Sequence, residues 1–371
     1  MLQKTCPIAC IVVCLISIPS VQAIGIRHDV ANATSTGLDN PYVAMGSAYD
    51  AVVNLSWETH RGTFQASATL VSSTTTGEYK ILTAAHVVDG NSGASRPDGL
   101  VDASSYTIEF GDNPDSILHR VTIPRGNVVA HPRWAPGDPA GTGLFGGAAQ
   151  FDMAVITFTA DDLTFGDANT LPDPYGVWLG NPLGEVATIV GFGQWGTGDD
   201  FINADGGPIQ PRDGIRRAGQ NVIDAVDSFS DEANDGYTIR ADFDAPVSIN
   251  EARNVVGFDG AVQTFEASTA RGDSGGPLLV GPNLVAGVLH GGYNHFDGAD
   301  ISEYGDVGVW SSVNESLNRQ FLELNGVSFY GYDVASDTAS IATVPEPSTA
   351  PLLFFGFICS LRFVRQRSRV A

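Results

Sequence analysis

Three side chains that lie far apart along the 371-residue chain are of the types that carry out nucleophilic catalysis: Ser274, His86 and Asp152. A serine hydroxyl is a weak nucleophile at neutral pH, so it needs an imidazole to take its proton and a carboxylate to orient that imidazole. Ser274 lies among glycines in residues 271–277, and glycines allow backbone N–H groups to come close to a substrate carbonyl. Together these residues predict acyl transfer through a serine nucleophile.

Each of these features also has a simpler interpretation when it is taken alone. The glycine-rich segment around Ser274 is compatible with a surface turn, and His86 with a buried structural histidine. An aspartate before an apolar strand, like Asp152, is common. The combination of all three in one chain is what favours catalysis.

A rival interpretation uses the same serine. Residues 272–276 also fit the Gly-x-Ser-x-Gly nucleophile elbow of α/β-hydrolases, which places the serine between a strand and a helix. His290 and His295 follow the serine, as the chain order of that fold requires. However, the Pro-Leu-Leu-Val of residues 277–280 favours a strand after the serine, and the rival leaves His86 without a role.

Three motif blocks occur in a fixed order: Thr-Ala-Ala-His at residues 83–86, Asp-Met-Ala at 152–154 and Gly-Asp-Ser-Gly-Gly-Pro at 272–277. In this order and at this spacing they resemble the blocks of the trypsin-like serine proteases. Three further segments match the same family: residues 129–134, 190–193 and 308–313. The resemblance covers roughly residues 40–325. It implies an all-β fold of two six-stranded antiparallel barrels with a C-terminal helix and the active site between the barrels.

The resemblance also implies a role for each residue. His86 is the general base and then the general acid, Asp152 fixes the tautomer of His86, and Ser274 attacks a polypeptide substrate. The backbone N–H groups of Gly272 and Ser274 form the oxyanion hole. The expected reaction is peptide-bond hydrolysis by a serine endopeptidase.

The positions of the specificity pocket depart from the family pattern. By resemblance, the pocket is formed by Ser268, His290, Gly291, Gly292 and Gly308. Ser268 stands where trypsin-like enzymes that prefer Lys or Arg carry an aspartate, so we expect apolar or aromatic P1 residues instead. His290 begins the segment that is usually Ser-Trp-Gly. Glu266, two residues before Ser268, is either a substitute charge or a solvated surface acid.

Activation in many members of this family requires a new Ile or Val amino terminus that pairs with the aspartate before the nucleophile, here Asp273. Removal of a signal segment after Ala23 exposes Ile24, so export itself is expected to generate this terminus. We expect no cofactor and no metal. The acidic pairs at residues 199–200 and 231–232 lack an EF-hand ligand order, and calcium in an acidic loop stays an open alternative.

Composition predicts how these residues are positioned. The chain contains 43 glycines and 20 prolines, which favour many short strands joined by turns. We expect a first barrel over about residues 40–165, a second over about 181–313 and an amphipathic closing helix over about 314–325, within a protease domain of residues 24–330. Residues 331–343 have the composition of a spacer.

Both ends of the chain carry sorting signals. Residues 1–23 predict a secretory signal segment. Residues 344–371 combine Pro-Glu-Pro, an apolar run and an Arg-rich tail, and they resemble the PEP-CTERM sorting signal of Gram-negative bacteria. This implies export to the periplasm, outer surface or extracellular matrix, transient membrane contact, and cleavage by signal peptidase and an exosortase-type enzyme. The alternative is a permanent C-terminal anchor.

The segment between the two signals is acidic and contains no cysteine. All four cysteines lie in the end segments, so the protease domain has no disulfide. Residues 24–347 hold 14 basic and 42 acidic residues, a net charge of −28. This charge argues against nucleic-acid partners. Two alternatives to a protease remain: an exported binding module with the same fold, and an esterase-type serine hydrolase.

Overall fold

The computed structural model describes residues 24–35, 37–59, 62–88, 103–134, 149–198, 212–227, 238–246, 256, 262–293 and 302–330. The predicted signal segment (1–23), the spacer and the sorting segment (331–371) lie outside these residues and stay predictions, and so does a role for His295. The described residues belong to one compact unit that ends at Tyr330. No helix among them is both long enough and apolar enough to cross a membrane.

The first described residues form a short strand and a short helix. Strand β1 (Ile24–Ile26) pairs in parallel with residues 195–197, and all three of its residues are buried. Helix α1 (Pro41–Gly46) begins after Asn40, whose side-chain oxygen accepts hydrogen bonds from the first backbone N–H groups of the helix. Proline at the first helical position loses no hydrogen bond there.

Eight antiparallel strands form the first sheet. They are β2 (Val52–Thr59), β3 (Gly62–Val71), β4 (Glu78–Thr83), β5 (Ser105–Phe110), β6 (His119–Pro124), β7 (Val128–Ala130), β8 (Ala154–Thr159) and β9 (Leu163–Phe165), and the single turn of helix α2 (Ala85–Val88) follows β4. They are hydrogen-bonded in the order β7-β8-β4-β3-β2-β5-β6-β9. In β5 and β6 buried residues alternate with more exposed ones, as in a sheet with one face on a core.

Eight strands also form the second sheet. The strands after β9 are β10 (Gly176–Val177), β11 (Val186–Gly191), β12 (Trp195–Thr197), β13 (Arg217–Val222), β14 (Ala225–Asp227), β15 (Thr238–Asp242), β16 (Pro277–Val280), β17 (Leu284–Tyr293) and β18 (Val307–Ser312), and all of them except β12 belong to the second sheet. The sheet order is β13-β11-β16-β17-β18-β15-β14, with β10 parallel to β17, whereas β12 pairs with β1.

A shared apolar core connects the two sheets. Leu70 and Val155 of the first sheet belong to the same buried cluster as Val190 and Leu279 of the second. Each such side chain contributes about 1.5–3 kcal/mol when it is fully buried. Because the described residues contain no cysteine, this burial and the hydrogen bonds hold the two sheets together without covalent links.

A C-terminal helix closes the described fold. Helix α3 (Ser316–Leu324) begins after Glu315, whose carboxylate accepts the backbone N–H groups of Leu317 and Asn318. The amide of Asn318 donates to the carbonyl of Gln150 at 2.6 Å, which ties the helix to the turn before Asp152.

The predicted all-β class, with a helix near the C-terminus, is confirmed. Among the described residues each sheet has eight strands, two more than the six predicted for each barrel. The additional strands are short, such as β9 and β10 with three and two residues, and segments this short leave no readable alternation in a sequence.

Candidate active site

Neighbouring strands bring His86 and Asp152 together. Strand β4 ends at Thr83, which pairs with Ala154 at the start of β8. Because the two strands are antiparallel, the chain that leaves β4 and the chain that enters β8 lie at the same edge of the sheet. His86 lies in α2 just after β4, and Asp152 lies just before β8.

The side chains of these two residues are directly hydrogen-bonded. Nδ1 of His86 lies 2.6 Å from Oδ2 of Asp152, and the backbone N–H of His86 donates to Oδ1 at 2.8 Å. A carboxylate can only accept, so Nδ1 of His86 carries the hydrogen. In a neutral imidazole this leaves Nε2 unprotonated, which is the form that a general base requires.

The pKa values of His86 and Asp152 favour a protonated imidazole beside an ionised carboxylate. Burial alone raises the pKa of Asp152, but His86 and His290 outweigh burial and hold this pKa well below its usual range. Burial likewise lowers the pKa of His86, but the Asp152 carboxylate outweighs it and raises this pKa above its usual value. Asp152 is therefore ionised at neutral pH and stabilises the imidazolium that forms when His86 takes a proton.

A second imidazole, that of His290, binds the same carboxylate oxygen. Nδ1 of His290 lies 2.5 Å from Oδ2 of Asp152. The register of β17 against β18 shifts between Leu289 and Gly291, so His290 lies at a bulge, a feature that changes the direction of a side chain. The sequence pattern assigns His290 to the wall of the specificity pocket, and it does not predict this contact.

The loop that carries Ser274 is hydrogen-bonded to both sheets. The backbone N–H of Ser67 in β3 donates to the carbonyl of Ser274 at 3.0 Å, and that of Gly275 donates to the carbonyl of Leu289 in β17 at 2.9 Å. Gly275 has φ of +80°, and a Cβ there would overlap the side chain of Thr83. Only glycine fits, so the loop lies directly against the segment that leads to His86.

Ser274 is half-buried in this loop. Among the described residues, no hydrogen bond joins its hydroxyl to His86. The backbone of the loop contacts Thr83 on one side and Leu289, next to His290, on the other. The structure therefore brings the segments of all three predicted catalytic residues together, and it joins His86 to Asp152 directly. Catalytic hydrogen bonds are often long until substrate binds.

The predicted oxyanion hole depends on Gly272. This residue has φ of +103°, a conformation that favours glycine, and its carbonyl accepts the hydroxyl of Ser67 at 3.1 Å. The sequence did not predict its neighbour Arg212, because no motif surrounds that arginine. A Cβ at Gly272 would lie 2.7 Å from Nε of Arg212, and Nη1 of Arg212 donates to the carbonyl of Gln65 at 2.9 Å.

Asp273 and Ile24, the predicted activation pair, lie in neighbouring segments. The carboxylate of Asp273 is fully buried and accepts the backbone N–H groups of Gly193 at 2.8 Å and Ala270 at 3.0 Å. Burial outweighs these bonds and raises the pKa of Asp273 to about 7. Ile24 pairs with Trp195, two residues beyond Gly193, and both pack in one buried cluster with Ala270.

Four of the five predicted pocket residues, His290, Gly291, Gly292 and Gly308, lie in the adjacent strands β17 and β18. Gly292 of β17 pairs with Gly308 of β18, and Gly291 pairs with Val309. Ser268 is buried, and its backbone N–H donates to the carbonyl of Gly25 at 2.9 Å.

Glu266 is fully buried, so the interpretation as a solvated surface acid is wrong. Its Oε2 accepts the backbone N–H of Gln263 at 2.6 Å. Burial raises the pKa of Glu266 well above its usual value, so this carboxyl is shifted toward its neutral form.

One group of side chains in the described part of the chain has the donor atoms of a metal site. The imidazole nitrogens of His86 and His290 and a carboxylate oxygen of Asp152 all lie within 4.8 Å of one another. The acidic pairs considered for calcium, at residues 199–200 and 231–232, lie outside the described residues.

No protein-family model and no curated protein matches the chain. Several solved structures are similar to it. A thermostable serine protease, AL20, from an extremophilic microorganism is 13% identical and covers 76% of this chain and 98% of its own, with a TM-score of 0.45. Protease Anisep from Arthrobacter nicotinovorans is 11% identical over 76% and 97%, with a TM-score of 0.45. A Glu endopeptidase in complex with MPD is 15% identical over 83% and 98%, with a TM-score of 0.40. At such identities the side chains of this chain must decide its chemistry.

Proposed function

We propose that the chain is an exported serine endopeptidase that cleaves peptide bonds through an acyl-enzyme. The observation that carries this proposal is the 2.6 Å hydrogen bond from Nδ1 of His86 to the buried carboxylate of Asp152, beside the glycine-rich loop of Ser274. A buried acid that orients an imidazole next to a serine is the arrangement that activates a hydroxyl nucleophile. The α/β-hydrolase alternative requires a helix after the serine, whereas strand β16 follows it.

The first half of the reaction is acylation. Oγ of Ser274 attacks the substrate carbonyl while Nε2 of His86 takes its proton. The charge on the imidazolium is stabilised by Asp152, and the backbone N–H groups of Gly272 and Ser274 stabilise the oxyanion. His86 then gives the proton to the leaving amine, the C–N bond breaks, and the acyl group stays on Ser274.

The second half returns the enzyme to its starting state. Water attacks the acyl carbonyl and gives its proton to Nε2 of His86. When the tetrahedral intermediate collapses, Oγ of Ser274 leaves and takes that proton back, and the carboxylic acid product is released. No metal or cofactor is required in this sequence of steps.

The preferred P1 residue is apolar or aromatic in this proposal. Ser268 supplies no charge, and the raised pKa of buried Glu266 shifts that group toward its neutral form. Neither residue therefore favours Lys or Arg over uncharged side chains. Cleavage of a peptide library by the purified protein tests this preference, and a majority of cuts after Lys or Arg would contradict it.

Activation follows export in this proposal. Signal peptidase removes residues 1–23, and the new ammonium group of Ile24 pairs with Asp273. Support comes from the position of Ile24 next to Trp195 and Ala270, and from the absence of an ion pair at Asp273 among the described residues. N-terminal sequencing of the active protein tests this step, and a start well after residue 24 would contradict it.

The end segments determine where the protease works. We propose that residues 344–371 contact the inner membrane transiently and are removed by an exosortase-type enzyme. The working compartment is then the periplasm, the outer surface or the matrix of a Gram-negative cell. Mass measurement of the protein from an exporting host tests this, because an intact C-terminus in the outer fractions would favour the permanent anchor.

Labelling with a fluorophosphonate probe tests the catalytic assignment. We expect modification at Ser274 in the processed protein, no modification in His86→Ala, and full modification in a control such as His28→Gln, which changes a histidine outside the catalytic group. Ser274→Ala is expected to keep the fold and lose casein hydrolysis. Absence of labelling in a processed and folded protein would instead favour the binding module.

A further inference from the structure

The carboxylate of Asp152 binds two imidazoles. Only one of them, that of His86, has the role of the general base. Nδ1 of His86 and Nδ1 of His290 lie 2.6 Å and 2.5 Å from the same oxygen, Oδ2. The ring centroids are 5.7 Å apart and the ring planes are inclined to each other by 80°, so the two rings meet edge to face. Three donor atoms on three different elements therefore converge on one small volume.

We propose that His86, Asp152 and His290 form a binding site for a divalent transition-metal ion such as Zn²⁺, and that the bound ion reversibly inhibits the enzyme. Two imidazole nitrogens and one carboxylate oxygen are the ligand set of many three-ligand zinc sites, which leave a fourth position for water. The three donor atoms lie within 4.8 Å of one another. Zinc binds such atoms at about 2.0–2.2 Å, so a small outward shift of the two rings makes room for the ion.

The charge of the site favours a cation over a neutral ligand. The carboxylate of Asp152 is fully buried, and its Oδ2 lies within hydrogen-bonding distance of both imidazoles, so an acidic oxygen faces the two rings. A bound divalent ion takes the place of the two N–H hydrogens that face Oδ2 of Asp152. The softer imidazole donors select zinc, copper or cobalt over magnesium or calcium, which prefer oxygen ligands.

The site has access to solvent. The side chain of His86 is 22% exposed and that of His290 is 12% exposed, whereas Asp152 has no exposed surface. An ion thus reaches the two imidazoles from solvent, and Asp152 closes the site from the protein interior.

Inhibition follows from the position of the proton on His86. In the free site, Nδ1 carries the hydrogen and Nε2 is the base. Coordination of the ion through Nδ1 requires this nitrogen to be unprotonated, so the hydrogen moves to Nε2 and the imidazole stays neutral. Nε2 then cannot take the proton of Ser274. The metal therefore blocks acylation without contacting the serine.

Binding is tested in the Ser274→Ala protein, so that the result does not depend on hydrolysis. Titration calorimetry with ZnCl₂ is expected to show one site, and His290→Ser added to this protein is expected to weaken binding by at least about ten-fold, because one of three ligands is lost. His28→Gln, a change at a histidine outside the group, is the matched control and should bind as before. Unchanged affinity in the His290→Ser protein, or no binding in the parent, would overturn the proposal.

A spectroscopic measurement covers the case in which a variant folds poorly. Trp134 lies close to both imidazoles, with ring centroids 6.4 Å from His86 and 6.1 Å from His290. Cu²⁺ at this site is expected to quench the fluorescence of Trp134, and Trp134→Phe should remove most of the quenched signal. If Trp134→Phe loses the same fraction of its fluorescence on Cu²⁺ addition, the ion binds elsewhere and the proposal fails.

The inhibitory part of this proposal rests on the proposed function, whereas metal binding does not. A protein that hydrolyses casein equally well with and without Zn²⁺ contradicts the metal site and leaves the protease intact. A protein that binds Zn²⁺ at His290 but shows no hydrolysis under any condition supports the metal site and contradicts the protease.

Discussion

Two fully buried aspartates near the candidate nucleophile have pKa values that shift in opposite directions. Asp152 accepts hydrogen bonds from the rings of His86 and His290 and from one backbone N–H, and its pKa lies well below its usual range. Among the described residues, the carboxylate of Asp273 accepts the backbone N–H groups of Gly193 and Ala270 and is also affected by the charges of Arg212 and Arg217, yet burial raises its pKa to about 7. Equal burial is thus accompanied by pKa shifts in opposite directions.

The difference lies in the groups that offset desolvation. Backbone N–H groups are dipoles, and two of them do not replace the solvation of a buried carboxylate at Asp273. An imidazole can also carry a positive charge, which interacts with Asp152 far more strongly than a dipole does. The partners of Asp152 in the described structure therefore stabilise its ionised form. The ionised form of Asp273 is stabilised most by an added cation such as a new amino terminus.

The largest expected effect is at Asp152. Asp152→Asn keeps the size of the side chain, but the backbone N–H of His86 requires the amide oxygen at the Oδ1 position, so the amide N–H faces Nδ1 and favours the wrong tautomer. We expect kcat/KM to fall by about 10³- to 10⁴-fold with an unchanged circular dichroism spectrum. Asp161→Asn, at an exposed aspartate, is the control. A loss of less than ten-fold would mean that Asp152 does not orient the base.

The second largest effect is expected at Asp273. Asp273→Asn leaves the amino group of Ile24 without a partner, and a buried unpaired charge costs about 3–5 kcal/mol, so activity of the processed protein should fall by at least about 100-fold. In the precursor the same change removes an unfavourable buried charge and should raise Tm. Equal activity in Asp273→Asn and wild type would show that Asp273 has no role in activation.

The pH dependence of stability is expected to differ in sign between the two aspartates. The folded pKa of Asp273, about 7, exceeds the unfolded value of about 4, so the precursor binds more protons than its unfolded chain between these pH values. Its free energy of unfolding should therefore fall by a few kcal/mol as pH rises from about 4 to about 7. Asp152 has the opposite sign, because its lowered pKa gives stability that is present above about pH 4 and is lost in acid.

Urea denaturation of the precursor at pH 5 and pH 8 measures this difference. Asp273→Asn should make the decrease between the two pH values smaller, although buried Glu266, whose pKa is also raised, still contributes to it. Asp161→Asn should leave the decrease unchanged. An equal decrease in Asp273→Asn and wild type would assign the pH dependence to other groups.

The smallest effect on turnover is expected at His290. His290→Ala removes one donor from Asp152, and a hydrogen bond to a charged group contributes about 1.5–3 kcal/mol, so we expect kcat to fall by about ten-fold with KM nearly constant. The acid limb of the pH profile should move to higher pH, because Asp152 then acts on His86 alone. His290→Asn, which keeps an N–H donor, should restore most of the rate; equal defects in both variants would indicate a packing role.

The local parts of this site could be predicted from sequence. The Thr-Ala-Ala-His of residues 83–86 lies at the end of β4, and the apolar residues 277–280 form β16, because strand patterns and turn residues act over a few positions. The closing helix was predicted over residues 314–325 and is observed as Ser316–Leu324. The short strands at the sheet edges were not predicted, because they form by pairing with neighbouring strands and have no local pattern of their own.

The contacts of His290, Glu266 and Arg212 could not be predicted in this way. Glu266 looked like a surface acid because it is charged, but residues packed from elsewhere in the chain bury it completely. His290 lies 138 positions from Asp152 along the chain, and a bulge in β17 decides where its ring points. No pattern within a few residues encodes either outcome.

The amino-acid sequence was enough to identify which groups are available for chemistry: a serine among glycines, one histidine after a strand and one aspartate before another. How these groups are charged and shared depends on the fold, because burial and distance are set by segments far apart in the chain. Two aspartates that look alike in the sequence therefore differ in their partners: two imidazoles bind the side chain of Asp152, whereas backbone N–H groups bind that of Asp273.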